Sequence, residues 1–198
     1  MFNNFCLLLI ISIFFQSCKN QSNTPAQTLY NKEFNWTITI PAGFESISPE
    51  EWKKMQNKGA EAIKKTYDVE VENNSNAIFV FKSDQFNYFQ SEYELFDSSS
   101  GESYSELIRN TNEVIYETFE AQMPDASLDS ASFEEIIDGK LFQVFKMKMK
   151  FPNKMIMEGL MYSRQFGNKI FGVHTMTVDK EKQKLLLDAW YNSKFATE

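Results

Sequence analysis

His174 is the only histidine of the chain, so any acid–base or nucleophilic site built on an imidazole has to use it. It stands inside a strand-like run, residues 170–178, and no Gly-x-Ser-x-Gly elbow exists to present a serine beside it. Carboxylate pairs occur at Glu134 and Glu135, at Asp125 and Asp129, and at Glu92 and Glu94. A glycosidase needs two such groups flanking one bond, but in a chain of formal charge −7 these pairs read as solvated surface. No glycine-rich phosphate loop and no calcium loop of the Asp-x-Asn-x-Asp-Gly type is present. Soft-metal chemistry has more to work with. Met147, Met149, Met155, Met157 and Met161 fall with His174 on one face of paired strands, and thioether with imidazole suits Cu(I). Methionine is also a pliant core filler, so the expectation is burial under a helix and no copper.

Cys18 is the thiol with a readable fate. It follows a leader, residues 1–17, whose apolar centre is too short to cross a bilayer as a resident helix. A short apolar run, then Gln16 and Ser17, then Cys resembles the lipobox of bacterial lipoproteins. That resemblance implies cleavage before Cys18 and lipid attachment at its thiol. Residues 18–28 are polar and aperiodic, a flexible tether reaching at most roughly 35 Å, and residues 29–198 read as one domain. Lys19 after the cysteine resembles the outer-membrane pattern of enteric lipoproteins. The expected address is the bacterial cell envelope, on the outer membrane and facing the periplasm. Abundant Asn, Lys, Phe and Ile resemble an AT-rich member of the Bacteroidetes.

Because Cys6 leaves with the leader, the mature domain has no thiol for a disulfide, a zinc site or a nucleophile. A content of 42% hydrophobic and 15% aromatic residues, with 19 Phe, argues for a fold held by packing. The acidic balance disfavours nucleic acid and anionic lipid surfaces as partners.

These residues need elements to hold them. Phe34, Trp36, Ile38 and Ile40 alternate with polar neighbours in a half-buried strand ended by Pro41-Ala42-Gly43. Ser48 and Glu51 form a capping-box pattern with Pro49 at the first helical position, and Trp52, Met55, Gly59, Ala62 and Ile63 share a face of the helix that follows. Residues 77–81, apolar on both faces, read as a central strand paired with the aromatic-rich run 86–96. Ser103 and Glu106 repeat the capping pattern before a second helix that Pro124 stops. Strands follow at 132–137, 141–151, 155–164 and 170–178, with tight turns at Asp138-Gly139 and Gly167-Asn168. With Phe151-Pro152-Asn153 as the intervening loop, Lys150 faces Lys154, Lys146 faces Glu158 and Met149 faces Met155. Asp179 caps a last helix with Leu185, Leu186, Ala189 and Trp190 as its buried stripe. The sum is an α+β fold, a mainly antiparallel sheet of about six or seven strands covered by helices.

An opening Trp36-x-Ile38-x-Ile40-Pro41-x-Gly43-Phe44, the Ile137-Asp138-Gly139-Lys140 turn and a closing Ser193-Lys194-Phe195, in that order of elements, resemble the PsbP/Mog/DcrB-like αβα sandwiches over residues 34–195. The resemblance implies an adapter that acts by binding proteins and is not an enzyme. The residues that carry it are turn and core positions, so it conveys architecture and no site.

Two surfaces are candidates for that binding. Tyr88 and Tyr93 sit in the aromatic strand, whose alternation places Tyr88 with Phe86 and opposite Phe89. Lys146, Lys148 and Lys150 line one face of a strand whose other face is Phe145, Met147, Met149 and Phe151, either a solvated face or a dock for an acidic partner. The expected function is a lipid-anchored envelope module that binds another envelope protein or a small ligand, without cofactor or chemistry of its own. A Cu(I) carrier and an envelope hydrolase are the alternatives.

Overall fold

Each capping pattern opens a helix at the expected residue. The computed structural model describes residues 24–68 and 75–196; Cys18, the leader and the first part of the tether lie outside them. Helix α1 (Pro49–Tyr67) begins where the Ser48 hydroxyl accepts from the Glu51 N–H, and ends at Asp68 in the left-handed region, φ 54°. At α2 (Tyr104–Gln122) the box is reciprocal: Ser103 Oγ accepts from the Glu106 N–H, and the Glu106 carboxylate accepts from the Ser103 N–H at 3.0 Å. Asp179 accepts from the N–H groups of Glu181 and Lys182 to start α3 (Lys180–Tyr191).

The strands form two sheets. A small one pairs β1 (Gln27–Asn31), β2 (Trp36–Ile40) and β10 (Lys194–Phe195) in the order β1-β2-β10. The large one contains β3 (Glu45–Ser46), β4 (Asn76–Asp84), β5 (Asn87–Leu95), β6 (Ser127–Ile137), β7 (Lys140–Lys150), β8 (Ile156–Phe166) and β9 (Lys169–Thr177). Its order is β3-β4-β5-β9-β8-β7-β6, antiparallel throughout.

Four expectations need correction. The tether ends early, because Gln27 and Thr28 already pair with Ile40 and Thr39 in β1. Strand β4 is not central: only the two residues of β3 lie beyond it, and Ala77 is exposed. Leu185 is 44% exposed and lies outside the buried stripe of α3, which Leu186 and Trp190 carry. The β7–β8 register is shifted by two residues, pairing Lys150 with Ile156, Lys148 with Glu158 and Met149 with Met157. A five-residue loop, closed by the Phe151 N–H on the Met155 carbonyl at 2.9 Å, replaces the tighter one and moves Lys154 away from Lys150. A shift by an even number keeps every side chain on its expected face.

Sheet alternation then creates two interiors. On one face Phe89, Phe142, Val144, Tyr162, Phe171 and Val173 meet Trp36, Ile38 and Ile40 of β2, Leu186 and Trp190 of α3, and Phe195 of β10. On the other, Phe145, Met147 and Met149 lie beneath Ile115, Tyr116 and Phe119 of α2. The turn residue Asp138, φ 46°, ties the chain's end to the sheet, its carboxylate accepting from the Phe195 N–H at 2.7 Å and from Lys194 Nζ at 3.0 Å.

Candidate functional site

Helices α1 and α2 do not fill the face they cover. Between them and strands β5, β8 and β9 lies a cavity of about 730 Å³, within the size range of small-molecule sites. Its helical walls are mostly apolar, with Trp52 and Ile63 from α1 and Leu107, Ile108 and Ile115 from α2. The β5 part of the strand wall is polar because β5 alternates: Phe89, Ser91 and Tyr93 turn to the aromatic interior, so Tyr88, Gln90, Glu92 and Glu94 turn to the cavity. His174 arrives from β9 opposite Gln90 and Met161. Gly172 sits beside it where a Cβ would come within 3.1 Å of His174 Nε2, so a larger residue there would make the imidazole give by a few tenths of an ångström.

A polar chain crosses the cavity from helix to sheet. Gln56 Nε2 donates to Ser75 Oγ at 3.2 Å, and Ser75 Oγ donates to Glu92 Oε2 at 2.8 Å. His174 Nε2 stands 4.0 Å from the other oxygen of Glu92. The order matters: a serine nucleophile needs the imidazole between hydroxyl and carboxylate, and here the carboxylate stands between hydroxyl and imidazole. Glu94, one strand repeat further along, is pushed above the usual carboxylate range by burial and then by the charge of Glu92. Burial likewise pushes the Tyr88 phenol up. Trp52 is 8% exposed, and its indole N–H has no acceptor among the described residues. At the far ends of the helices the Tyr67 hydroxyl donates to Glu117, which drives the Tyr67 phenol up to about 12 and clasps α1 to α2.

The residues singled out from sequence do not form one surface. Tyr88 lines the cavity, while Tyr93, on the opposite sheet face, packs edge-on to Phe34 at 5.6 Å with Lys169 Nζ 5.5 Å above its ring. Lys146 and Lys148 stand 3.1 and 3.9 Å from Glu158, and Gln183 of α3 also donates to Glu158. The basic stripe is therefore in large part paired within the sheet, to Glu158 of β8, where Gln183 of α3 joins it; only Lys150, at the strand end, is exposed. Burial alone would raise the Glu158 carboxyl, but Lys146, Gln183 and Lys148 hold it below its ordinary value.

Of the proposed methionine face, Met147 and Met149 are buried, Met157 and Met161 pack against them, and Met155 lies in the loop. Among the described residues, no three His, Cys, Asp or Glu side chains are grouped to hold a metal ion, and no helix is long and apolar enough to cross a membrane.

Sequence reasoning weighs Glu92 and Glu94 only as a carboxylate pair and assigns them to solvated surface. The signal was there in the alternation with Phe89 and Tyr93, but a polar strand face reads as solvated unless one knows that two helices stand off it.

No family model and no curated protein matches the chain in sequence. Among solved structures, the solution structure of cyanobacterial PsbP (CyanoP) from Synechocystis sp. PCC 6803 is similar, with a TM-score of 0.54 and 12% identity over 92% of this chain and 99% of that one. The domain has a PsbP-like α+β fold.

Proposed function

We propose that the chain is a lipid-anchored binding module of a bacterial cell envelope, without chemistry of its own, whose ligand site is the cavity between α1, α2 and the sheet. The observation that carries this reading is the cavity itself, about 730 Å³ with apolar helical walls and a polar β5 wall. The order Ser75, Glu92, His174 favours binding over hydrolysis, since among the described residues no hydroxyl hydrogen-bonds to the imidazole. The anchor is Cys18, on the outer membrane and facing the periplasm, and a bound ligand or an envelope protein docking at the cavity is the partner.

One preparation tests both halves. Detergent phase partition should send the wild-type chain to the detergent phase and Cys18→Ala to the aqueous phase, since each buried acyl CH₂ contributes about 0.8 kcal/mol. The recovered protein should bind the neutral dye Nile red saturably, and Ala60→Leu, which grows into the cavity, should abolish that binding. Equal partitioning would sink the anchor, and unsaturable dye uptake would sink the cavity.

A further inference from the structure

We infer that the cavity selects ligands that carry a positive charge on an apolar body, an aryl- or alkylammonium, and that Glu94 together with Glu92 holds the charge; this rests on the cavity being the ligand site. Glu92, Glu94 and Glu102 all line it, and none of its lining residues is Lys or Arg.

The carboxylates are not equivalent. Glu92 already accepts from Ser75 and has His174 at 4.0 Å. Glu94 is half-buried and makes no hydrogen bond or ion pair among the described residues. It lies about 7 Å further along the same strand face, two residues on, so the two charges repel across a partly desolvated space with one imidazole near them. Arg164 is engaged elsewhere, donating to the Leu141 carbonyl at 2.7 Å.

A cationic ligand supplies what this wall lacks. Its apolar part fits the opposite wall of Leu107, Ile108 and Ile115. An anionic ligand of the same shape would meet the carboxylates with no lysine or arginine among the lining residues to offset them.

The test uses three probes of one shape and different charge: naphthylmethylamine, naphthalenemethanol and naphthoate. Each is titrated at neutral pH into the full chain in phosphatidylcholine vesicles, with empty vesicles as blank. The amine should bind about tenfold more tightly than the alcohol, the scale of one charge-assisted hydrogen bond, and naphthoate most weakly. Glu94→Gln should bring the amine to the level of the alcohol and leave the alcohol unchanged. Alcohol or naphthoate binding as tightly as the amine overturns the charge selection and leaves the cavity as ligand site. Saturable binding of none of the three overturns the cavity reading as well. Should Glu94→Gln change the near-ultraviolet circular dichroism of the fold, the wild-type ranking of the three probes decides.

Discussion

On the sheet face turned to α3, rings lock one another: Trp190 meets Phe142 at 5.2 Å and Tyr162 at 5.5 Å edge-on, and Trp36 meets Phe171 at 5.1 Å. On the face turned to α1 and α2, the filler is methionine and a cavity remains. Both faces belong to the same strands, so backbone geometry is common to them and the difference lies in the side chains. Aromatic pairs have preferred geometries and fix a unique packing, whereas methionine adapts to whatever space it is given. On the aromatic side the indole N–H groups of Trp36 and Trp190, like that of Trp52, have no acceptor among the described residues. That costs about 1 to 3 kcal/mol for each donor, which ring packing has to outweigh. One face therefore holds the fold, and the other is free to hold something else.

The largest effect should separate two tryptophans. Trp190→Ala empties the centre of the closed interior and should cost about 4 kcal/mol in urea unfolding. Trp52→Ala only widens an existing space, and about half that loss is expected. Equal losses would mean that the two faces are packed alike.

Adding volume should reverse the comparison. Val173, fully buried, has no room to grow, so Val173→Phe should destabilise by about 1 to 3 kcal/mol. Ala60→Leu grows into the cavity instead and should be neutral or stabilise by up to about 1 kcal/mol. A large destabilisation by Ala60→Leu would show that the cavity is not space available to a ligand.

The sequence announces the closed face better than the open one. Trp36, Ile38 and Ile40 alternate cleanly, and the helix caps at Ser48, Ser103 and Asp179 are local hydrogen-bond patterns that need no tertiary knowledge. The two-residue turns at Asp138-Gly139 and Gly167-Asn168 likewise fix the β6–β7 and β8–β9 registers. Around Pro152 the chain allows loops differing by two residues, and both keep Lys146 and Glu158 on one face, so pattern alone does not choose between them. Strands β3 and β10, two residues each, are too short to show a period. The cavity was illegible for a different reason. How far α1 and α2 stand from the sheet depends on tertiary packing, and nothing in the spacing of Glu92 and Glu94 states whether water or a helix faces them.

The smallest expected effects have opposite signs on the two sides. Asp84 ends β4 on the α3 side. Burial by itself would raise its carboxyl, but Lys182, the Phe86 N–H and Asn87 hold it down at about 2 against an ordinary 3.8. The native state thus favours the ionised form, and the stability it contributes is present above the ordinary value and lost as pH falls from about 4 to about 2. The side chain is 40% exposed, so solvent screening reduces the contribution to about 1 kcal/mol. Asp84→Asn should cost that much at neutral pH and flatten the acid limb of the urea midpoint. Glu94, in the cavity, is shifted the other way, by burial and by Glu92. Its native state favours the proton, so stability present at acid pH is lost as pH rises through its folded value. Glu94→Gln should therefore raise neutral stability by less than Asp84→Asn lowers it, and remove part of the decline between acid and neutral pH. If both variants shift the midpoint in the same direction at neutral pH, the contrast between a paired carboxylate on the closed face and an unpaired one in the cavity is wrong.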